Sequence, residues 1–276
     1  MYRVQHIENF KQIVKLFVSV ESIELRCQNN TTISIQTMLL SNASSIRVEL
    51  KASNDTESIL GIPTNPDPHD IVVCLNIKAL LIGIENVMKA YHITYYTFTV
   101  AQDMFVIQAY DKTDTAVSIS TVRGVERTDT NIEGGTSGDP TNPYGIEFQN
   151  VLGLSLDMVL SGLSVGGKEN IRVCLKPLVM EFEVADTLVS SKVSFPIRGD
   201  ITAKYSGAFV KPVKDLMKQF VKCVMLVTKL STKKRKLVGS CDTAKILVRT
   251  HIDGPLNLAY SSDCIHMSIF SGPIQE

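Results

Sequence analysis

The chain has 276 residues and a mass of 30.4 kDa, enough for one large domain or two of ordinary size. Its 44% hydrophobic and 20% charged residues describe a globular chain, not a disordered one. Lys+Arg and Asp+Glu are 28 each, so the net charge is zero, which excludes a uniformly basic nucleic-acid coat and an acidic tail protein but leaves room for a local patch. No apolar run reaches the roughly 18 residues of a membrane span; the densest, 71–84, is broken by Asn76 and Lys78. The opening MYRVQHIENFKQ lacks an apolar h-region, so neither a secretory signal nor a membrane partner is expected. The cysteines Cys27, Cys74, Cys174, Cys223, Cys241 and Cys264 form no CxxC pair, which argues against a zinc ribbon or a redox dithiol. They are expected to be reduced, mostly buried thiols of an intracellular protein, and the sequons at Asn29, Asn30, Asn42 and Asn54 are then not glycosylated.

In chain order, helical spacing predicts a first helix over 9–19 (NFKQIVKLFVS), then strands around 22–27 (SIELRC) and 31–37 (TTISIQT). A second helix is predicted over 73–91, with strands over 93–100 and 104–110 flanking the turn AQD, and a further strand around 116–121. Residues 128–145 hold four glycines and two prolines, with Ile132 and Tyr144 as the large apolar residues, which is loop chemistry. Beyond it the order recurs. A helix is predicted over 149–163, strands around 170–175, 178–184 and 192–197, a helix over 209–224, and strands over 245–251 and 255–260 flanking IDG. The spans 103–110 and 253–260 are equally long and both end in Ala-Tyr. Each half reads strand, helix, strands, helix, strands, an α+β pattern with mostly antiparallel sheets. A doubled fold is the simplest account, with domains 1–127 and 144–276 and a connecting loop 128–143.

Two catalytic-looking motifs fail their context. Residues 162–169 (GLSVGGKE) fit GxxxxGK, but Glu169 stands where a magnesium-holding hydroxyl is needed, and a helix precedes while a strand follows. A phosphate loop needs the reverse order, so that backbone N–H groups and the helix dipole face the phosphates. Residues 162–166 also fit GxSxG, with Ser164 as nucleophile and His251 or His266 and Asp200 or Asp215 downstream. That elbow likewise requires a strand-to-helix turn. The plain reading is a glycine-rich turn ending a helix. The histidines His6, His69, His92, His251 and His266 show no metal spacing, so no cofactor or metal is expected.

The informative feature is charge placement. Between 200 and 250 there are twelve Lys/Arg against three Asp/Glu. Lys211, Lys214, Lys218 and Lys222 fall within a sector of roughly 80° on one predicted helix, opposite Val213, Leu216, Phe220, Cys223, Val224 and Val227. Like charges at this spacing repel, so either a solvated face or a polyanion contact accounts for the stripe taken alone. Lys11 and Lys15 repeat the arrangement opposite Phe10, Ile13, Val14 and Phe17, and Lys78 and Lys89 share one side of the second helix. Lys233, Lys234, Arg235 and Lys236 follow in a segment the first half lacks, and read as an import signal, a DNA-contact loop or a solvated tip. No aromatic residue interleaves these lysines, which favours phosphate contact with duplex DNA over base stacking.

This order of elements resembles the sliding clamps of the proliferating cell nuclear antigen family over nearly the whole chain. The likeness is closest at 32–45 (TISIQTMLLSNASS), 253–260 (DGPLNLAY) and 266–274 (HMSIFSGPI), where Gly272-Pro273 stands for the family's Ala-Pro. The resemblance implies two similar domains, each with two inner helices on antiparallel sheets, assembled as three chains into a ring around duplex DNA. It implies no enzymatic activity. The ring would be loaded by an ATP-driven clamp loader and tether DNA polymerase and repair enzymes, in the nucleus or a viral replication compartment. It also implies a groove for partner peptides from Met38, Asn42, Ala43, Ile132, Pro255, Phe270, Gly272 and Pro273, and pairing of the strand at 116–121 with that at 192–197 of the next chain. The predicted helix 149–163 lacks Lys and Arg, the linker is long and glycine-rich, and the KKRK segment is extra; these departures fit a divergent member such as a viral processivity factor. A subunit of a heterotrimeric DNA-damage checkpoint clamp would share the fold, and a GxSxG serine hydrolase at Ser164 is the reading from a different class.

Overall fold

Apolar residues that recur every second position become strands, and those that recur every third or fourth become helices. The computed structural model describes residues 1–28, 31–39, 44–54, 58–63, 70–101, 103–126, 145–149, 171–176, 179–185, 190–196, 205–209, 218, 222, 245–250, 256–261 and 264–271. Among the described residues the architecture is mixed, with few helices and with antiparallel sheets, as an α+β fold requires. The chain divides into two units, one of Met1–Thr37, Arg47–Thr130 and Asp263–His266, the other of Met38–Ile46, Asn131–Ser262 and Met267–Glu276.

In the first unit the order is β1 (Tyr2–Val4), α1 (Ile7–Val14), a 3-10 turn (Lys15–Phe17), β2 (Ser22–Gln28), β3 (Thr32–Leu39), β4 (Ser44–Lys51), β5 (Ile71–Asn76), α2 (Ile77–Met88), β6 (Tyr95–Ala101), β7 (Met104–Tyr110) and β8 (Ala116–Arg123). The strands lie in the orders β1-β6-β7-β8 and β5-β2-β3-β4. Register sets the core. Tyr2 pairs with Phe98, Phe98 with Ile107, Val100 with Phe105, and Phe105 with Val122, so one face of β1-β6-β7-β8 is apolar. Phe10 of α1 lies on that face, with ring centroids 5.6 Å from Phe98 and 6.5 Å from Phe105. On the opposite face Arg3 lies over the Tyr95 ring at 4.6 Å, and Tyr95 stacks on Tyr110 at 4.9 Å.

The helix predicted over 73–91 is shorter than expected, because 73–76 belongs to β5. The β-branched run Ile71-Val72-Val73 favours an extended backbone, and β5 pairs with β2 from Ser22↔Asn76 to Cys27↔Ile71. Asn76 then starts α2, its side chain accepting a hydrogen bond from the Ala79 N–H at 3.1 Å. The helix packs on β8 at Gly83, where a Cβ would stand 2.9 Å from Ser120 Oγ and 3.1 Å from Val122 Cγ2. Gly83→Ala gains about 1 kcal/mol of helix propensity but loses about 1–3 kcal/mol to overpacking. The Ser120 hydroxyl can rotate away; the branched Val122 cannot without moving β8. We expect a net loss of about 1 kcal/mol in urea unfolding. A net gain would mean that α2 sits farther from β8.

The second unit contains β9 (Gly145–Gln149), β10 (Ile171–Lys176), β11 (Val179–Ala185), β12 (Ser190–Pro196), β13 (Tyr205–Phe209), β14 (Lys245–Thr250), β15 (Leu256–Ser261) and, from Met267 on, β16 (Ile265–Ser271). Its strand orders are β13-β10-β11-β12 and β9-β14-β15-β16. Element for element these repeat β5-β2-β3-β4 and β1-β6-β7-β8, so the same strand order occurs twice in one chain. The Ala-Tyr ends noticed in the sequence fall on the matching strands β7 and β15. Two helix boundaries move. Gln149 lies in β9, opposite Lys245, and Phe209 in β13, opposite Ile171, because ladder pairing overrides the helical spacing there. The rest of the helix predicted over 149–163 lies outside the described residues.

Among the described residues Cys27 is buried and Cys74 and Cys264 are half-buried. Burial pushes the Cys27 thiol up to about 11 from an ordinary 9.0. Burial, reinforced by the neighbouring Cys27, also pushes the Tyr2 hydroxyl upward. The folded protein therefore keeps a proton that the unfolded chain releases. This contribution is fully present below pH 9.0 and lost as the pH rises through about 11. It amounts to about 2–3 kcal/mol for the thiol. Urea unfolding on either side of that window should show the loss, and Cys27→Ala should flatten it; an equally steep decline in the variant would assign it elsewhere.

Candidate nucleic-acid interface

Each helix of the first unit buries one side and shows lysine on the other. In α1 and its 3-10 turn, Phe10, Ile13, Val14, Leu16 and Phe17 are buried, while Lys11 and Lys15 are half-buried. In α2, Ile77, Leu80, Gly83, Ile84 and Val87 are buried, while Lys78 and Lys89 are exposed. The exposed residues between those two lysines on α2 are Ala79, Ile82, exposed at 58%, and Asn86. The two helices pack against each other, so the four lysines belong to one helical layer.

The sequence did not single out Glu85, which stands among these lysines. Lys11 Nζ lies 3.0 Å from Glu85 Oε1, bridging the two helices. Lys11 donates to the carboxyl, and its charge, with those of Lys15 and Lys89, holds Glu85 below the usual carboxylate range. The signal for it was half present, since Glu85 and Lys89 are one helical turn apart; the other half, the meeting of α1 and α2, is tertiary. Tyr91, two positions past Lys89, is exposed at 84%, and the next residue, His92, has φ 58°.

In the second unit Lys218 and Lys222 are helical and one turn apart, Lys218 half-buried and Lys222 exposed. Lys211, Lys214, Lys233, Lys234, Arg235 and Lys236 lie outside the described residues. Of the expected peptide groove, Met38 lies on β3 and Phe270 on β16, while Asn42, Ala43, Ile132, Pro255, Gly272 and Pro273 lie outside the described residues. Ser164, Asp200, Asp215 and His251 lie outside them as well, and His266 is on β16. Among the described residues no group of three or more His, Cys, Asp or Glu is placed to hold a metal ion, and no helix is long and apolar enough to cross a membrane. Compared with known proteins, the chain matches no family model and no curated sequence.

Proposed function

We propose that the chain is a DNA sliding clamp, a non-enzymatic processivity factor that holds duplex DNA without reading its sequence. The observation that carries this reading is the lysine-bearing layer of α1 and α2, whose apolar side is spent on the sheets so that Lys78 and Lys89 face solvent. A face that gathers ammonium groups in a chain of zero net charge suits the phosphates of a polyanion. The twofold recurrence of the strand order supports two like domains in each chain, the second contributing Lys218 and Lys222 from its own helix.

Two sheet edges support self-association. β8 ends its sheet with Val117 and Ile119 exposed at 42% and 59%, and β12 ends its own. Unpaired apolar edges invite another strand. In this reading β8 of one chain pairs with β12 of the next, three chains close a ring, and the work is done in the nucleus or a viral replication compartment. A loader driven by ATP would open the ring. Polymerase and other partner peptides would dock over Met38 and Phe270, with a few buried anchors supplying most of the affinity.

Because phosphate contacts carry no sequence information, two duplexes of unrelated sequence should bind equally, weakly and with steep salt dependence. A marked preference for one sequence, or binding indifferent to salt, would overturn the reading.

A further inference from the structure

We infer that Glu85 is a resident stand-in for a backbone phosphate, seated between Lys11, Lys15 and Lys89 in the free protein and exchanged for a phosphate oxygen when a polyanion arrives. This inference rests on the nucleic-acid reading above and adds a competitor to it. The three ammonium groups come from two packed helices: Lys15 follows Lys11 by one turn, and Lys89 follows Glu85 by one turn. Left alone they would repel one another. The carboxylate between them removes that repulsion, and its 3.0 Å contact with Lys11 Nζ ties the helices together. The same three lysines hold it ionised.

Exposure decides the order of events. The Lys11 side chain is 17% exposed and that of Glu85 43%, so the carboxylate is the outer member of the pair. A phosphate approaching Lys11 therefore meets Glu85 first and must displace it. The displacement is cheap, because an ion pair this open to water is weakly held. The carboxylate and a phosphate oxygen offer lysine the same kind of charged acceptor, so the lysines lose no hydrogen bond in the exchange. The result is a deliberately shallow grip on DNA, in which each release is helped by a carboxylate ready to return.

The test uses the whole chain, a blunt duplex and a salt series, with three variants: Glu85→Gln, the triple Lys11→Ala/Lys15→Ala/Lys89→Ala, and the four substitutions together. Melting of each variant confirms that the fold is kept. Removing one opposing charge at contact distance in water should tighten Glu85→Gln binding about fivefold. The log–log salt slope should steepen by up to about 0.9, since one more phosphate is neutralised. The triple variant should bind more weakly than the unchanged chain, and adding Glu85→Gln to it should bring no further gain. If the triple variant loses affinity while Glu85→Gln binds no tighter, the lysines contact DNA and the stand-in role is wrong. An equal gain from Glu85→Gln with or without the lysines would also overturn it, leaving only a general charge effect. If the triple variant binds as the unchanged chain does, both this inference and the nucleic-acid reading of the first unit fall.

Discussion

Phe98→Ala is expected to cost about 3–5 kcal/mol, the largest single loss of stability among the residues of the first unit. Phe98 is fully buried. Its ring centroid lies 5.2 Å from Tyr2, 5.6 Å from Phe10 and 5.2 Å from Phe105, so one side chain joins β1, α1, β6 and β7. Truncation removes the transfer free energy of a benzyl group and leaves a cavity bounded by three rings that the strand ladder holds apart. Each lost aromatic pair adds about 0.5–1.5 kcal/mol beyond the area term. A domain of this size has about 5–15 kcal/mol in all, so the variant should be near its unfolding threshold at physiological temperature. The functional consequence follows from Phe10, which would lose its seat and with it the placement of Lys11 and Lys15. Chemical unfolding monitored by circular dichroism measures the loss; a cost below about 1 kcal/mol would mean that the aromatic cluster is not the centre of this core.

The second large effect concerns DNA. Replacing Lys11, Lys15, Lys78 and Lys89 together by alanine should lower the log–log salt slope of duplex binding by about 3–4, since each phosphate contact contributes about 0.9. The same change at Lys211, Lys214, Lys218 and Lys222 should have a similar effect, and both sets combined should weaken binding on the order of a thousandfold at low salt. Melting should change little, because Lys78 and Lys89 stand opposite the apolar face of α2 and the spacing of the 211–222 stripe predicts the same for it. Lys11 is the exception to watch: it gives up its contact with Glu85, a pair open enough to water to contribute little. Slopes and affinities that stay at the level of the unchanged chain would reduce both stripes to solvated surface.

The doubled strand order was legible in the sequence, and the reason is local. Period-two alternation in SIELRC, MFVIQAY and KILVRT survives in both halves, and the Ala-Tyr ends of β7 and β15 mark equivalent positions. The apolar side of α1 was legible for the same reason, since Phe10, Ile13, Val14 and Phe17 recur at helical spacing. What misled was β5, where the apolar run from Val73 to Leu75 suits either a helix or a buried strand; pairing with β2, invisible in the local pattern, decides it. β4 was missed although Arg47, Glu49 and Lys51 alternate with Ile46, Val48 and Leu50, the period-two signal of a half-buried strand. At the candidate interface the lysines could be read from spacing alone. Glu85 could not, because its role depends on α1 meeting α2, a long-range contact that no helical periodicity encodes.

The central claim is that the chain encircles DNA and does not merely adhere to it. The direct measurement is gel filtration with mass detection after the protein is reassembled from mild denaturant in the presence of a nicked circular duplex, and then after that same DNA is cut once. The account predicts a free protein of three chains, co-elution with the circle at a salt concentration that abolishes ordinary phosphate contact, and loss from the DNA once an end is available. A monomer, or equal retention on circular and linear DNA at every salt concentration, would contradict it.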